Sequence, residues 1–255
     1  MGFVTAIRKP RGLSPRLALV LLVALPTALL VGLLVLAVES SWTPMRNFDR
    51  YVADTLHVQA LGHPALVRSM VLVSDIGSPT VMRSAATLLA IVLFLRGARR
   101  LALWVAATMV SGAVIDEALK VAVDRSRPVF AQPVAIAPGP SFPSGHTFTA
   151  TLGAGVFLLV LLPLLPRGAR IAAWIPAVLI PVAVGYSRIA LGVHWTSDVL
   201  GGWLLGVGLL TGTTAAFETW RREHALPRVQ PALEGVAPEE SGRAAHHVPS
   251  GPEDA

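Results

Sequence analysis

Six apolar runs divide the chain, each separated from the next by charged residues, proline or glycine. They cover Leu17 to Val38, Thr80 to Leu95, Leu101 to Leu119, Thr147 to Leu165, Ile171 to Tyr186 and Val199 to Phe217. About 20 apolar residues cross a bilayer core of about 30 Å as a helix. The pattern therefore predicts an all-α, polytopic membrane bundle of about six transmembrane helices. The first run follows a basic head of Arg8, Lys9, Arg11 and Arg16. A secretory leader shares that polarity, but its apolar core has only about 7–15 residues and ends at a small-residue cleavage site. This run is longer and no clear site follows it, so it reads as a retained first span, with Pro26 a candidate kink.

Between the first two spans, Glu39 to Ile76 is mixed in character. Trp42, Phe48, Tyr51, Val52 and Leu56 suit an amphipathic helix at the interface, with Arg46, Asp49, Arg50 and Asp54 facing water. A solvated loop with one packed face fits the same pattern. His57 and His63 have no partners at ligand spacing and read as surface residues. Gly77-Ser78-Pro79 signals a turn. The stretch from Asp124 to Pro140 carries Pro128, Pro133, Pro138 and Pro140, which forbids a continuous helix. The Gly-rich last run, with Gly201, Gly202, Gly206 and Gly208, permits close helix packing. Three regions follow: a cytoplasmic N-terminus over 1–16, a membrane domain over 17–220, and a tail over 221–255 with too little apolar content to fold.

Composition strengthens this picture. The 255 residues are 53% hydrophobic and 14% charged, against about 25% charged in an average soluble domain. Mean hydropathy is +0.63. The absence of Cys excludes disulfides and thiolate chemistry. A net charge of +6 raises the question of nucleic acid. However, Lys and Arg gather at the ends of apolar runs, and no basic stripe with interleaved aromatics appears. With six spans, the N-terminus, the Arg96–Arg100 and Arg167–Arg170 loops and the Arg221-Arg222 end share one side. The positive-inside bias makes that side cytoplasmic, for both termini.

Three polar clusters then fall together on the opposite rim. Ionisable groups beside a membrane core are a functional-site signal. In the first, Lys120 and Arg127-Pro128 put two cations at the mouth of the third span, with Asp116 four residues before Lys120 and able to pair with it. Asp116 and Glu117 read as orienting or structural acids. In the second, Pro143-Ser144-Gly145-His146 precedes the fourth span. Ser144 suits an N-cap, Gly145 allows close backbone approach, and a helix start binds anions. His146 there can give a proton to a leaving oxygen. In the third, Ser187-Arg188 is followed by His194 and Asp198. A carboxylate four residues from a histidine can hold one ring nitrogen and leave the other nucleophilic, while Arg188 offers a planar fork to an oxyanion.

Each cluster alone also fits a structural role: a His–Asp cap, an ordinary helix start, a basic anchor. Together they supply cations, a nucleophile with its orienter and a general acid, which suits phosphoryl transfer. The motifs lack clustered carboxylates for a two-metal site, which implies a metal-independent route and no cofactor.

Lys120-(six residues)-Arg127-Pro128, Pro143-Ser144-Gly145-His146 and Ser187-Arg188-(five residues)-His194-(three residues)-Asp198 resemble the three signature motifs of the type 2 phosphatidic acid phosphatases. Their superfamily includes acid phosphatases and vanadium haloperoxidases. The resemblance implies that His194 attacks phosphorus, that Asp198 orients it, and that His146 protonates the leaving group and then activates water. It implies that Lys120, Arg127, Arg188, Ser144 and the Gly145 amide hold the phosphate oxygens. Substrates would be membrane lipid phosphates or diphosphates, with the site on the periplasmic or extracellular side. No obligate protein partner and no nucleic acid are called for. A lipid phosphotransferase, or a non-catalytic lipid transporter on the same fold, are the alternatives.

Overall fold

The computed structural model describes residues 15–223, and the side chains of residues 22–221. The basic head before residue 15 and the tail beyond residue 223, expected to be unfolded, lie outside the described residues. The described residues form eight α-helices: α1 (Pro15–Glu39), α2 (Thr43–Gly62), α3 (Pro64–Ile76), α4 (Pro79–Leu95), α5 (Arg99–Val123), α6 (Gly145–Leu161), α7 (Arg167–Ala190) and α8 (Thr196–Glu223). A short 3₁₀ turn, Leu162–Leu164, follows α6. No strand occurs among the described residues.

Among the described residues, six helical segments are long and apolar enough to cross a membrane. Five match the expected runs, with ends moved by a few residues. The other is longer than expected, because α3 is apolar and joins α4 in one stretch, Pro64–Leu95. The expected turn divides the two helices: Ser78 caps α4, its hydroxyl accepting from the Val81 amide at 3.3 Å. Helix α1 runs through Pro26, and α7 through Pro176 and Pro181. Large apolar side chains face outward along the spans, among them Leu25, Leu29, Leu36, Leu88, Ile171 and Trp174. An outward apolar belt of this kind is what a bilayer solvates.

The centre of the bundle is α6. It is apolar on every side, as a helix enclosed by others must be, and packs against α4, α5, α7 and α8. Phe148, Leu152, Val156 and Val160 of α6 meet Trp104, Val105 and Met109 of α5 in the buried core. Small residues set the α6–α8 distance. A Cβ on Gly202 would lie 2.9 Å from the Ser144 carbonyl oxygen, and one on Gly206 would lie 2.5 Å from Thr151 Cβ. Close approach through glycine, expected of the last span, is therefore realised.

Two readings of the interfacial segment are corrected. Arg46, Arg50 and Asp54 are exposed as expected, but Asp49 is buried. The inward stripe of α2 is Asp49, Ala53, His57 and Ala60, while Trp42, Phe48 and Tyr51 point outward. The aromatic face thus serves the surroundings, and the small and polar face serves the protein. His57 is likewise buried, not a surface residue, and its ring stacks on Phe130 with centroids 3.9 Å apart. His63 is exposed, as expected.

Candidate active site

Alternating spans bring the end of α5, the start of α6, the end of α7 and the start of α8 to one rim. Lys120 lies in the last turn of α5. Its Nζ donates to Asp116 Oδ2 at 2.8 Å, the predicted pairing. Arg83 of α4 approaches the same oxygen at 3.9 Å. Asp124, in the left-handed region at φ 40°, ends α5 and starts the loop to α6. An aspartate tolerates that conformation better than most residues.

Arg127 is fixed by backbone oxygens of this loop and the next. Nε donates to the Gly139 carbonyl at 2.9 Å, and Nη2 to those of Pro138 and Pro140 at 3.1 and 3.0 Å. Nη1 donates to the Val193 carbonyl at 2.7 Å and lies 3.0 Å from His194 Nε2. Guanidinium has no acceptor, so Nε2 must be the unprotonated nitrogen and Nδ1 carries the hydrogen. Nδ1 faces Asp198 Oδ2 at 3.4 Å. That oxygen is anchored by the Trp195 amide at 2.9 Å. The i,i+4 pair meets as predicted, although not on one helix: His194 lies in the turn before α8 and Asp198 in its first turn.

His194 is buried. Burial first, then the charges of Arg127 and Arg188, push its imidazole down to about 4, against the opposing hydrogen bond and charge of Asp198. Burial also lowers Arg127, and Asp198 opposes the shift. Arg188 lies in the last turn of α7, with Nη1 donating to Ser74 Oγ at 2.6 Å. Its buried Nε has no acceptor among the described residues. His146, in the first turn of α6, is within electrostatic reach of Arg188, His194, Lys120 and Arg127. Gly145 sits against the Asp116–Lys120 pair, with its absent Cβ 3.0 Å from Lys120 Nζ. Ser144 occupies the N-cap position but makes no side-chain cap bond. It is fully buried, accepts from the Thr147 hydroxyl at 2.9 Å, and donates its amide to the Asp198 carbonyl at 3.1 Å.

All eight predicted residues thus gather at one rim, with Ser144 and Asp198 fully buried there. A family model described as PAP2 superfamily matches residues 101–222. Over those residues, just under half of the chain, the sequence is similar to the PAP2 superfamily. Two curated relatives are similar to this chain. An undecaprenyl-diphosphatase of Sulfolobus acidocaldarius is 34% identical over 122 residues, 46% of this chain and 55% of that one. Phosphatidylglycerophosphatase B of Bacillus subtilis is 41% identical over 97 residues, 37% of this chain and 47% of that one. The chain spans about half the length of these relatives. A crystal structure of a transmembrane PAP2 type phosphatidylglycerolphosphate phosphatase from Bacillus subtilis shares the fold. Its TM-score is 0.69 at 24% identity, with 82% of this chain and 99% of that chain covered.

Sequence reasoning missed several residues around this site. Arg125 lies between two motif cations and donates to both Ser197 and Asp198, at 2.7 and 2.5 Å. Asp49, Ser74 and Arg83 come from helices outside the motifs. Only Asp49 left a trace in sequence: it shares a helical stripe with Ala53, His57 and Ala60, small and polar where a packed face is normally apolar.

Proposed function

We propose that this chain is an integral membrane lipid phosphatase that hydrolyses a phosphomonoester or diphosphate of a membrane lipid through a phosphohistidine on His194. One observation carries the reading. Arg127 Nη1 and Nε2 of His194 are 3.0 Å apart, which leaves Nε2 as the lone-pair nitrogen and aims it at the cations. A phosphate oxygen that takes the Arg127 N–H brings phosphorus beside the nucleophile.

In the first step the Nε2 lone pair forms a bond to phosphorus while the bond to the leaving oxygen breaks. His146 gives that oxygen its proton. Nδ1 keeps its hydrogen toward Asp198, which stabilises the positive ring. Lys120, Arg127 and Arg188 take up the charge that spreads over the phosphoryl oxygens, with the Gly145 amide and Ser144 at the helix start. In the second step His146, now neutral, removes a proton from water. The hydroxide attacks phosphorus, the P–N bond breaks, and inorganic phosphate leaves. The clustered basic loops on the opposite rim support a cytoplasmic location for both termini and an external active site. The relatives' names, a diphosphatase and a phosphatidylglycerophosphatase, support lipid phosphates and diphosphates as the substrate class.

The test is phosphate release by purified protein in detergent from phosphatidic acid, phosphatidylglycerol phosphate and polyprenyl diphosphate, without acceptor. His194→Ala lowers release by about 10³-fold or more, while EDTA leaves the rate intact. Loss of activity in EDTA that a divalent metal restores would contradict the metal-free route. Phosphate that appears only on an added hydroxyl acceptor would make the protein a phosphotransferase.

A further inference from the structure

Behind the His194–Asp198 pair lies a second, buried layer of charge. Arg125 spreads its fork over two carboxylates: Nη1 donates to Asp198 Oδ1 at 2.5 Å, and Nη2 to Asp49 Oδ2 at 2.8 Å. Asp49 also accepts from the Ser197 amide at 2.9 Å and from the Ser197 hydroxyl. Asp49 and Asp198 are 1% and 0% exposed, so neither charge is solvated by bulk water and each depends on this network. The guanidinium also lies 5.7 Å from the centre of the Trp195 ring. The connected groups are therefore His194, Asp198, Arg125 and Asp49. The last sits on α2, 148 residues before Ser197.

We propose that Arg125 and Asp49 are positioning residues that hold Asp198 in register with His194, and that α2 is thereby a working part of the active site. The inference rests on the phosphatase reading above and adds two residues to it. Neither side chain is required to touch phosphate. Arg125 ties down Oδ1 of Asp198, which leaves Oδ2 to face the histidine ring. Asp49 shares the guanidinium charge, so Arg125 does not draw the full charge of Asp198 away from the ring. Asp49 also receives the Ser197 amide in the first turn of α8, where a carboxylate opposes the helix dipole. That capping role alone would affect stability without touching the chemistry.

The two roles separate in the pH dependence of kcat/KM. The groups that face His194 are Asp198 of α8, Arg127 of the loop before α6, Arg188 of α7 and His146 of α6; none is altered below. Arg125→Gln frees Asp198 to stabilise the imidazolium. It should raise the acid limb by about one pH unit, the low end for a neighbouring charge. Asp49→Asn leaves Arg125 bearing on Asp198 alone and should move the limb down. In the Arg125→Gln background, Asp49→Asn should add no further shift, because its route to the ring is gone. Each single variant should lose about tenfold or more in kcat, with KM for the lipid phosphate within about twofold, since the phosphate cradle is untouched. Binding of inorganic phosphate, followed by thermal shift, reports whether each variant keeps a folded cradle. Limbs that stay in place or move together, or an activity loss that only follows the fraction able to bind phosphate, would overturn the positioning role and leave a structural cap. A wild-type protein that releases no phosphate from any lipid in the panel would overturn the phosphatase reading and this inference with it.

Discussion

Adding one methyl group at Gly145 tests the phosphate cradle with little disturbance to the fold. A Cβ there would lie 2.8 Å from Asp116 Oδ2 and 3.0 Å from Lys120 Nζ, where ordinary contact begins at 3.4 Å. Asp116 has little room to yield, being buried and bonded to Lys120 at 2.8 Å. The pair must therefore shift together, by roughly half an ångström, and carry the ammonium off its position. A displacement of about 1 Å in a reacting constellation costs about 10²-fold, so half of that should cost about tenfold in kcat/KM. The helix itself gains, since Ala is favoured over Gly by up to about 1 kcal/mol in a helix interior and by less at its first residue. Gly145→Ala should thus lose activity with only a small change in melting temperature, because the helix gain offsets part of the cost of moving the ion pair. The assay is initial phosphate release at limiting and saturating lipid phosphate, with thermal unfolding measured in the same detergent. Wild-type kcat/KM in a variant of unchanged stability would refute the placement of Lys120 in the cradle. A large drop in stability would refute the claim that the added methyl meets only the ion pair.

Gly202→Ala should behave in the opposite way. Its Cβ meets the Ser144 carbonyl oxygen at 2.9 Å and the Phe148 amide at 3.0 Å, so backbone must move and stability should fall by about 1–3 kcal/mol; an unchanged melting temperature would count against the α6–α8 packing. For the wild-type protein, attack requires a neutral His194. Because burial holds that imidazole down to about 4, the nucleophile stays neutral as pH falls from 7 until about 4 and is lost below it. The acid limb of kcat/KM, corrected for the ionisation of substrate phosphate, should lie near 4, and a limb at the ordinary value near 6.5 would show that the ring is solvated.

Much of this protein was legible in one dimension. A bilayer demands apolar helices of a certain length, so the pattern of apolar runs located the spans, and the resemblance of three spaced motifs to a known family pointed to Lys120, Arg127, His146, Arg188, His194 and Asp198 as one chemical set. Even the glycines of the last span announced their packing role, because small side chains are how membrane helices approach each other.

What lay beyond reach was the partner of each charge across long stretches of chain. Asp49 looked solvated because its neighbours Arg46, Arg50 and Asp54 are, and hydrophobicity along a helix does not say which polar residue will meet a guanidinium. Its burial is decided by Arg125 and Ser197, which lie 76 and 148 residues away, just as Arg188 meets Ser74 across 114 residues. Apolar burial is non-directional and accumulates along the sequence. A buried ion pair instead depends on the distance and angle between two specific groups. Only the assembled helices determine those.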